Sequence, residues 1–86
     1  MERQQVKKVL NCPYKELLEL ALNMVNLKTK ELQVITLVDI KGETQEKTAE
    51  LLDCSLNTVK NHRNKAYKKL GKVWEDQESI KKILEF

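Results

Sequence analysis

The hydrophobic residues of this chain recur at helical rather than strand-like spacing. In residues 56–70, Val59, Ala66 and Leu70 fall within about 40° of one another when each residue advances a helix by about 100°. Ser55 is a good N-cap, and Gly71 is suited to a left-handed residue near the C-terminal end. The pattern therefore predicts a helix over about residues 56–70 with one buried side, and leaves open that this helix runs on past Gly71.

The same spacing predicts further helices over about residues 14–26, 44–53 and 75–86, and another that ends at Gly42. A weaker helix is predicted within the first ten residues. The apolar residues expected to face inward, besides those of residues 56–70, are Val6, Val9, Leu10, Leu17, Leu18, Leu20, Ala21, Met24, Val25, Leu32, Ile35, Val38, Ala49, Leu52, Val73, Ile80, Ile83, Leu84 and Phe86, and further candidates are Val34, Leu37 and Thr48. We expect an all-α fold, a small bundle of about four to five helices in a single domain, 1–86.

Residues 44–53 and 56–70 stand so close in sequence that the two helices must cross steeply. Thr44 caps the first of them, and the small side chain of Ala49 suits a close approach to the second. Two helices joined by a turn of about three residues form a helix-turn-helix. We expect residues 27–71 to be the core of this motif.

Positive charge is concentrated in one segment of the chain. Residues 54–74 contain six Lys or Arg and no acid, whereas the whole chain has a net charge of +3. On the helical wheel, the outward half of this segment holds only amides and lysines: Asn57, Lys60, Asn61, Asn64, Lys65, Lys68 and Lys72. A face that only improved solubility would usually mix Glu with Lys, so this face is typical of a surface that binds a polyanion.

Other classes of function have little support in the sequence. A single His, no carboxylate cluster and no Gly-rich phosphate loop argue against an enzyme such as a small nuclease. Cys12 and Cys54 lack further ligands at metal-binding spacing, so we expect small apolar residues there, no metal and no cofactor. No apolar run is long enough for a membrane span, and we expect a cytoplasmic protein.

The stretch from Leu27 to Gly71 resembles the LuxR-type helix-turn-helix domain and its close relative, region 4 of bacterial sigma factors. The resemblance rests on "S.NTVKNH" and "KKLG" in residues 55–71, on Ala49 and Leu52, and on "L...E..VI.L" from Leu27 to Leu37. It implies that the helix over residues 56–70 enters the DNA major groove and that the protein regulates transcription. Thr48, Asp53 and Cys54 stand where these families usually have Ile, Gly and an aliphatic residue, so we expect Asp53 to adopt the turn conformation that Gly adopts there.

The two relatives imply different partners besides double-stranded DNA. The LuxR-type alternative implies a homodimer on two half-sites, whereas the sigma-like alternative implies a monomer assisted by RNA polymerase. A third alternative is a protein-interaction module that docks on RNA polymerase or a sigma factor through its apolar end helices, without its own DNA recognition.

The expected DNA-binding residues fall into three groups. Phosphates would be neutralised by Lys60, Arg63, Lys65, Lys68, Lys69 and Lys72. Backbone amides at the helix starts capped by Thr44 and Ser55 would hold further phosphates. Base reading would fall to Asn57, Thr58, Asn61 and Asn64, with Lys60. His62 and Arg63 flank the apolar stripe formed by Val59, Ala66 and Leu70. Tyr67 and Trp74 are expected to anchor the core rather than to stack on bases.

Overall fold

The computed structural model describes residues 1–85, and every regular element in that range is helical. The six α-helices are α1 (Arg3–Leu10), α2 (Lys15–Asn23), α3 (Thr29–Ile35), α4 (Gln45–Leu51), α5 (Leu56–Trp74) and α6 (Glu78–Leu84). The all-α class is confirmed. The expected count of four to five is too low, because the first ten residues also fold into a helix, whose Val6, Val9 and Leu10 are buried. The expected inward position of Phe86 lies outside the described residues.

The chain divides into two compact units. The central unit is the continuous stretch Leu27–Ala66, which contains α3, α4 and the first part of α5. The flanking unit combines Met1–Asn26 with the residues from Tyr67 onward, so it contains α1, α2, α6 and the end of α5. A single domain over 1–86 stays a prediction.

In the central unit, α3 begins with a side-chain contact and ends in a wider turn. The carboxylate Oε1 of the buried Glu31 accepts a hydrogen bond from the backbone N–H of Lys28 at 2.9 Å. After Ile35 the chain continues as a π-helix over Thr36–Ile40, in which the N–H of Lys41 donates to the carbonyl of Thr36 at 2.9 Å. Such turns are rare and are often found at functional sites.

The core of the central unit is built from small side chains. Val34, Ala49 and Val59 form its buried centre, and Val38, Leu52 and Cys54 pack against them. The Cys54 thiol is free and half-buried, so this residue serves as a small apolar side chain, as expected. Thr48 is fully buried on α4, where its hydroxyl donates to the carbonyl of Thr44 at 2.9 Å.

The turn between α4 and α5 is closed by a Schellman motif. The N–H of Cys54 donates to the carbonyl of Ala49 at 3.0 Å, and the N–H of Asp53 donates to the carbonyl of Glu50 at 3.2 Å. Asp53 has φ 52°, the left-handed conformation in which Gly is usual. The prediction for Asp53 is therefore confirmed.

In the flanking unit, Trp74 links α5 to α2. Its indole is fully buried, and Nε1–H donates to the carbonyl of Ala21 at 2.8 Å. The Tyr67 ring is buried as well and lies under the guanidinium of Arg3, 4.4 Å from the ring centroid. Both aromatic residues are core anchors, as predicted.

Gly71 does not end α5, so of the two alternatives that the sequence left open, the helix that runs on past Gly71 is the one observed. Gly71 lies inside the helix, which continues to Trp74, and only Gly42 and Asp53 have positive φ among the described residues. A Cβ atom at Gly71 would lie 3.1 Å from the carbonyl oxygen of Met1. The missing side chain therefore allows a close approach of the N-terminal residue rather than a turn.

Several apolar residues that were expected inside are exposed. On α2, Leu18 and Ala21 are buried, whereas Leu17 and Leu20 are exposed. The apolar arc of this helix is wider than the side that packs, so part of it faces outward. Met24 after α2 and Leu32 on α3 are exposed as well.

Candidate nucleic-acid interface

The outward side of α5 has the composition and exposure that the sequence predicts. All seven predicted outward positions are exposed, whereas Val59, Ala66 and Leu70 are buried and His62 and Arg63 are half-buried between the two sides. The exposed positions, named here the basic face, are Asn57, Lys60, Asn61, Asn64, Lys65, Lys68 and Lys72. Because residues 54–74 contain no acid, α5 contributes no carboxylate that could neutralise these lysines.

The central unit holds the amide-rich half of the basic face. Asn57, Asn61 and Asn64 are exposed there beside Lys60 and Lys65. Each amide can donate and accept hydrogen bonds at once, and each ammonium donates up to three. Lys68 and Lys72 follow on the part of α5 that belongs to the flanking unit.

The first turn of α5 is fixed by two hydroxyl groups. The Ser55 hydroxyl oxygen accepts a hydrogen bond from the backbone N–H of Thr58 at 3.1 Å. The two hydroxyl groups are also hydrogen-bonded to each other, with 2.8 Å between their oxygens. Ser55 is thus the N-cap that the sequence predicts. Thr58 is half-buried, and its hydroxyl takes part in this cap. A role for Thr58 in base reading stays a prediction.

Thr44 caps α4 in a similar way. Its hydroxyl oxygen accepts a hydrogen bond from the N–H of Lys47 at 3.0 Å, and its carbonyl accepts from both the N–H and the hydroxyl of Thr48. Thr44 is exposed. Its structural role is clear from these bonds, and its expected contribution to phosphate binding stays a prediction.

Arg63 is placed differently from the lysines. Its guanidinium donates two hydrogen bonds to the carboxylate of Asp39, from Nη2 to Oδ1 at 2.7 Å and from Nε to Oδ2 at 3.0 Å. The side chain of Asp39 is 2% exposed and that of Arg63 is 14% exposed. Arg63 is therefore held in an ion pair at the edge of the basic face, and its expected phosphate contact is an untested prediction.

Sequence reasoning did not single out Asp39. A signal was available, because Asp39 lies four residues after the buried Ile35 and therefore on the apolar side of its helix. A carboxylate in such a position needs a cationic partner, and Arg63 at the edge of the α5 stripe was available to supply it.

Residues 1–85 contain no group of three or more His, Cys, Asp or Glu side chains that could hold a metal ion. None of the helices from Arg3 to Leu84 combines the length and apolar character needed to cross a lipid bilayer.

The short turn between α4 and α5 makes these two helices a helix-turn-helix. Comparison with protein families gives a match to sigma-70, region 4, over residues 15–70. This match covers more than half of the chain, so the chain belongs to the sigma-70 region 4 family. Domains of this family act in transcription, where they bind DNA and RNA polymerase-related partners without catalysing a reaction. Comparisons with curated proteins and with solved structures gave no match.

The extent of the match bears on the two relatives that the sequence suggested. It begins at residue 15 and therefore includes the whole of α2 as well as the helix-turn-helix. The sigma-like part of the resemblance is thus supported, and the match gives no separate support to the LuxR-type part.

Proposed function

We propose that this protein is a sequence-specific DNA-binding regulator of transcription that inserts α5 into the major groove. The observation that carries the proposal is the basic face, whose seven exposed positions are all Asn or Lys on a helix without acids. A face with this composition meets the two requirements of DNA recognition, attraction to phosphates and hydrogen bonding to base edges.

The lysines of the basic face would supply most of the affinity. Lys60, Lys65 and Lys68 are exposed and can neutralise phosphates, which releases counterions and makes binding weaker as salt rises. Each phosphate contact makes the slope of log affinity against log salt concentration more negative by about 0.9.

Base recognition would come from the amide-rich half. Asn57, Asn61 and Asn64 recur over two turns of α5, and an Asn side chain can form two hydrogen bonds with adenine. Lys60 lies between the first two and can donate to guanine. A good contact of this kind is worth about 1 to 3 kcal/mol of discrimination against the wrong base.

The sigma-like form of this function fits the chain best. The family match includes α2, and a region 4 domain that contacts RNA polymerase does not need a second copy to reach its site. We therefore propose a monomer that acts together with RNA polymerase rather than a LuxR-type homodimer.

A second candidate function is docking on RNA polymerase or a sigma factor without independent DNA recognition. The observation that favours it is the exposed apolar surface of α2, where Leu17 is 39% and Leu20 is 60% exposed. Under this alternative, replacement of Leu17 and Leu20 by Asp would abolish polymerase binding, and the lysines of the basic face would be dispensable.

Selection from a random-sequence DNA duplex tests the first proposal. The protein is incubated with the duplex pool at two salt concentrations, and the bound fraction is sequenced beside that of a Lys65→Glu, Lys68→Glu double variant. The matched control is Lys81→Glu, Lys82→Glu, which changes the net charge equally but on α6.

We expect the wild type and the control to enrich the same motif and the basic-face variant to lose it. A motif without a palindrome would support the monomer, whereas a palindromic motif would support a homodimer. Weak binding without enrichment, equal in all three proteins, would refute DNA recognition by α5 and favour the docking alternative.

A further inference from the structure

We infer that Asp39 is a positioning residue for sequence discrimination, because through Arg63 it sets the rotation of α5 about its own axis. The inference rests on the proposed function. It assigns a role to Asp39, a residue that the proposed function does not place in contact with DNA. It concerns the central unit alone, since both residues lie within Leu27–Ala66.

The contact between the two side chains is strongly directional. The planar guanidinium of Arg63 meets the carboxylate of Asp39 through two parallel hydrogen bonds of 2.7 Å and 3.0 Å. A pair of this kind constrains both distance and angle, whereas a single contact between point charges constrains mainly distance.

The apolar contacts of α5 in this unit are less directional. The buried centre consists of Val59 from α5 with Val34 and Ala49, and packing among such small side chains depends mainly on area and volume. Arg63 follows Val59 by one helical turn, so the ion pair lies on nearly the same side of α5. The ion pair therefore constrains the rotation of α5 about its axis, on the side where the packing of Val59 already holds the helix.

A small rotation of α5 would be sufficient to disturb base reading. Side chains extend about 5 to 6 Å from a helix axis, so a rotation of about 10° moves their ends by about 1 Å. Hydrogen bonds between nitrogen and oxygen tolerate only about 0.5 Å of variation in length. The amides of Asn57, Asn61 and Asn64 would lose alignment with base edges, whereas flexible lysines could still follow the phosphates.

Asp39 is itself held in place by its surroundings. It lies in the π-helical turn Thr36–Ile40 and is the buried residue of that element, with 2% of its side chain exposed. A buried carboxylate without a cation is strongly unfavourable, so the pair stays closed. Because the pair is neutral as a whole, Arg63 adds little to the attraction for phosphates.

The test compares discrimination with overall affinity. The dissociation constants of the full chain for the selected DNA site and for a scrambled duplex are measured by fluorescence anisotropy at several salt concentrations. The variants are Asp39→Asn, which keeps the cation and loses the carboxylate, and Arg63→Lys, which keeps the charge and loses the two-pronged geometry. Glu43→Gln removes one exposed negative charge from the same unit and is the matched control.

We expect both variants to reduce the ratio of the affinity for the selected site to the affinity for the scrambled duplex at least tenfold. The salt slope and the affinity for the scrambled duplex should stay nearly unchanged. Partial unfolding alone would lower both affinities by the same factor and would leave their ratio intact, so the ratio separates positioning from simple stabilisation. If Asp39→Asn does not fold, as judged by circular dichroism, Arg63→Lys carries the test.

Two outcomes would overturn the inference while the proposed function stands. One is an unchanged ratio in the folded variants. The other is tighter binding of Asp39→Asn to both duplexes with a steeper salt slope than Glu43→Gln, which would show that a released Arg63 acts as a phosphate contact. A wild-type protein that does not distinguish the two duplexes would overturn the proposed function and this inference with it, before any variant is compared.

Discussion

Replacement of Trp74 by Phe is expected to destabilise the fold strongly. Ala21 lies in the last turn of α2, where its carbonyl has no N–H partner within the helix, because the N–H of Val25 donates to Leu22 instead. The indole of Trp74 supplies the missing donor at 2.8 Å in a fully buried position. Phe keeps an aromatic ring but cannot donate a hydrogen bond.

The magnitude follows from two losses. A buried carbonyl left without its partner costs about 1 to 3 kcal/mol. Phe also has two fewer buried ring carbons than Trp, which adds about 1.6 kcal/mol at about 0.8 kcal/mol for each. The free energy of unfolding should therefore fall by about 2.6 to 4.6 kcal/mol, a large part of the roughly 5 to 15 kcal/mol that is typical of folded domains.

Urea unfolding followed by far-ultraviolet circular dichroism measures this change. Fluorescence is unsuitable, because Trp74 is the only Trp of the chain. Leu20→Ala is the control on α2, since its side chain is 60% exposed and a change below about 0.5 kcal/mol is expected. A loss of less than 1 kcal/mol for Trp74→Phe, with an unchanged dependence on urea, would refute the described role of the indole.

Three further predictions concern α5 and the turn before it. Ser55→Ala removes the acceptor for the N–H of Thr58 and should lower the free energy of unfolding by about 0.5 to 2 kcal/mol in urea titrations, whereas Ser55→Asp retains an acceptor and should lower it less. Asp53→Val should destabilise by more than about 1 kcal/mol, because a β-branched residue disfavours φ 52°, and Asp53→Gly should be at least as stable as the wild type in thermal unfolding. Lys68→Gln should reduce the salt slope of DNA binding by about 0.9 without changing the selected motif, and an unchanged slope would mean that Lys68 contacts no phosphate.

The sequence predicted the basic face well because that face depends only on local geometry. Once residues 56–70 form a helix with Val59 and Ala66 inside, the positions of Asn57, Lys60 and Asn61 on its outer side follow from the helical repeat. The left-handed conformation of Asp53 was predicted from the family resemblance, because the similar families usually have Gly at that position.

The ion pair was not predicted because it joins residues 24 positions apart. The sequence shows that Asp39 is a carboxylate on an apolar side of its helix and that Arg63 flanks the buried side of α5. The distance between them, however, depends on how the π-helical turn Thr36–Ile40 packs against α5. The exposure of Leu17 and Leu20 has a similar cause. Apolarity shows which side chains can be buried, and only the tertiary packing decides which of them are.

Gly71 shows the limit of an argument from residue type alone. Gly is common just after a helix because it adopts positive φ, and that preference favoured a helix end at residue 71. The structure uses the other property of Gly, its lack of a Cβ, to let the backbone of Met1 approach the helix.

The arrangement of the two units in the sequence has a consequence for protein synthesis. The central unit is one continuous stretch, Leu27–Ala66, so all the partners in its core have been translated once Ala66 has left the ribosome. The flanking unit takes residues from both sides of that stretch, and the carbonyl of Ala21 must wait for Trp74, 53 residues later, to receive its hydrogen bond. The nascent chain can therefore complete the unit that carries most of the basic face before the flanking unit has all the residues of its own core.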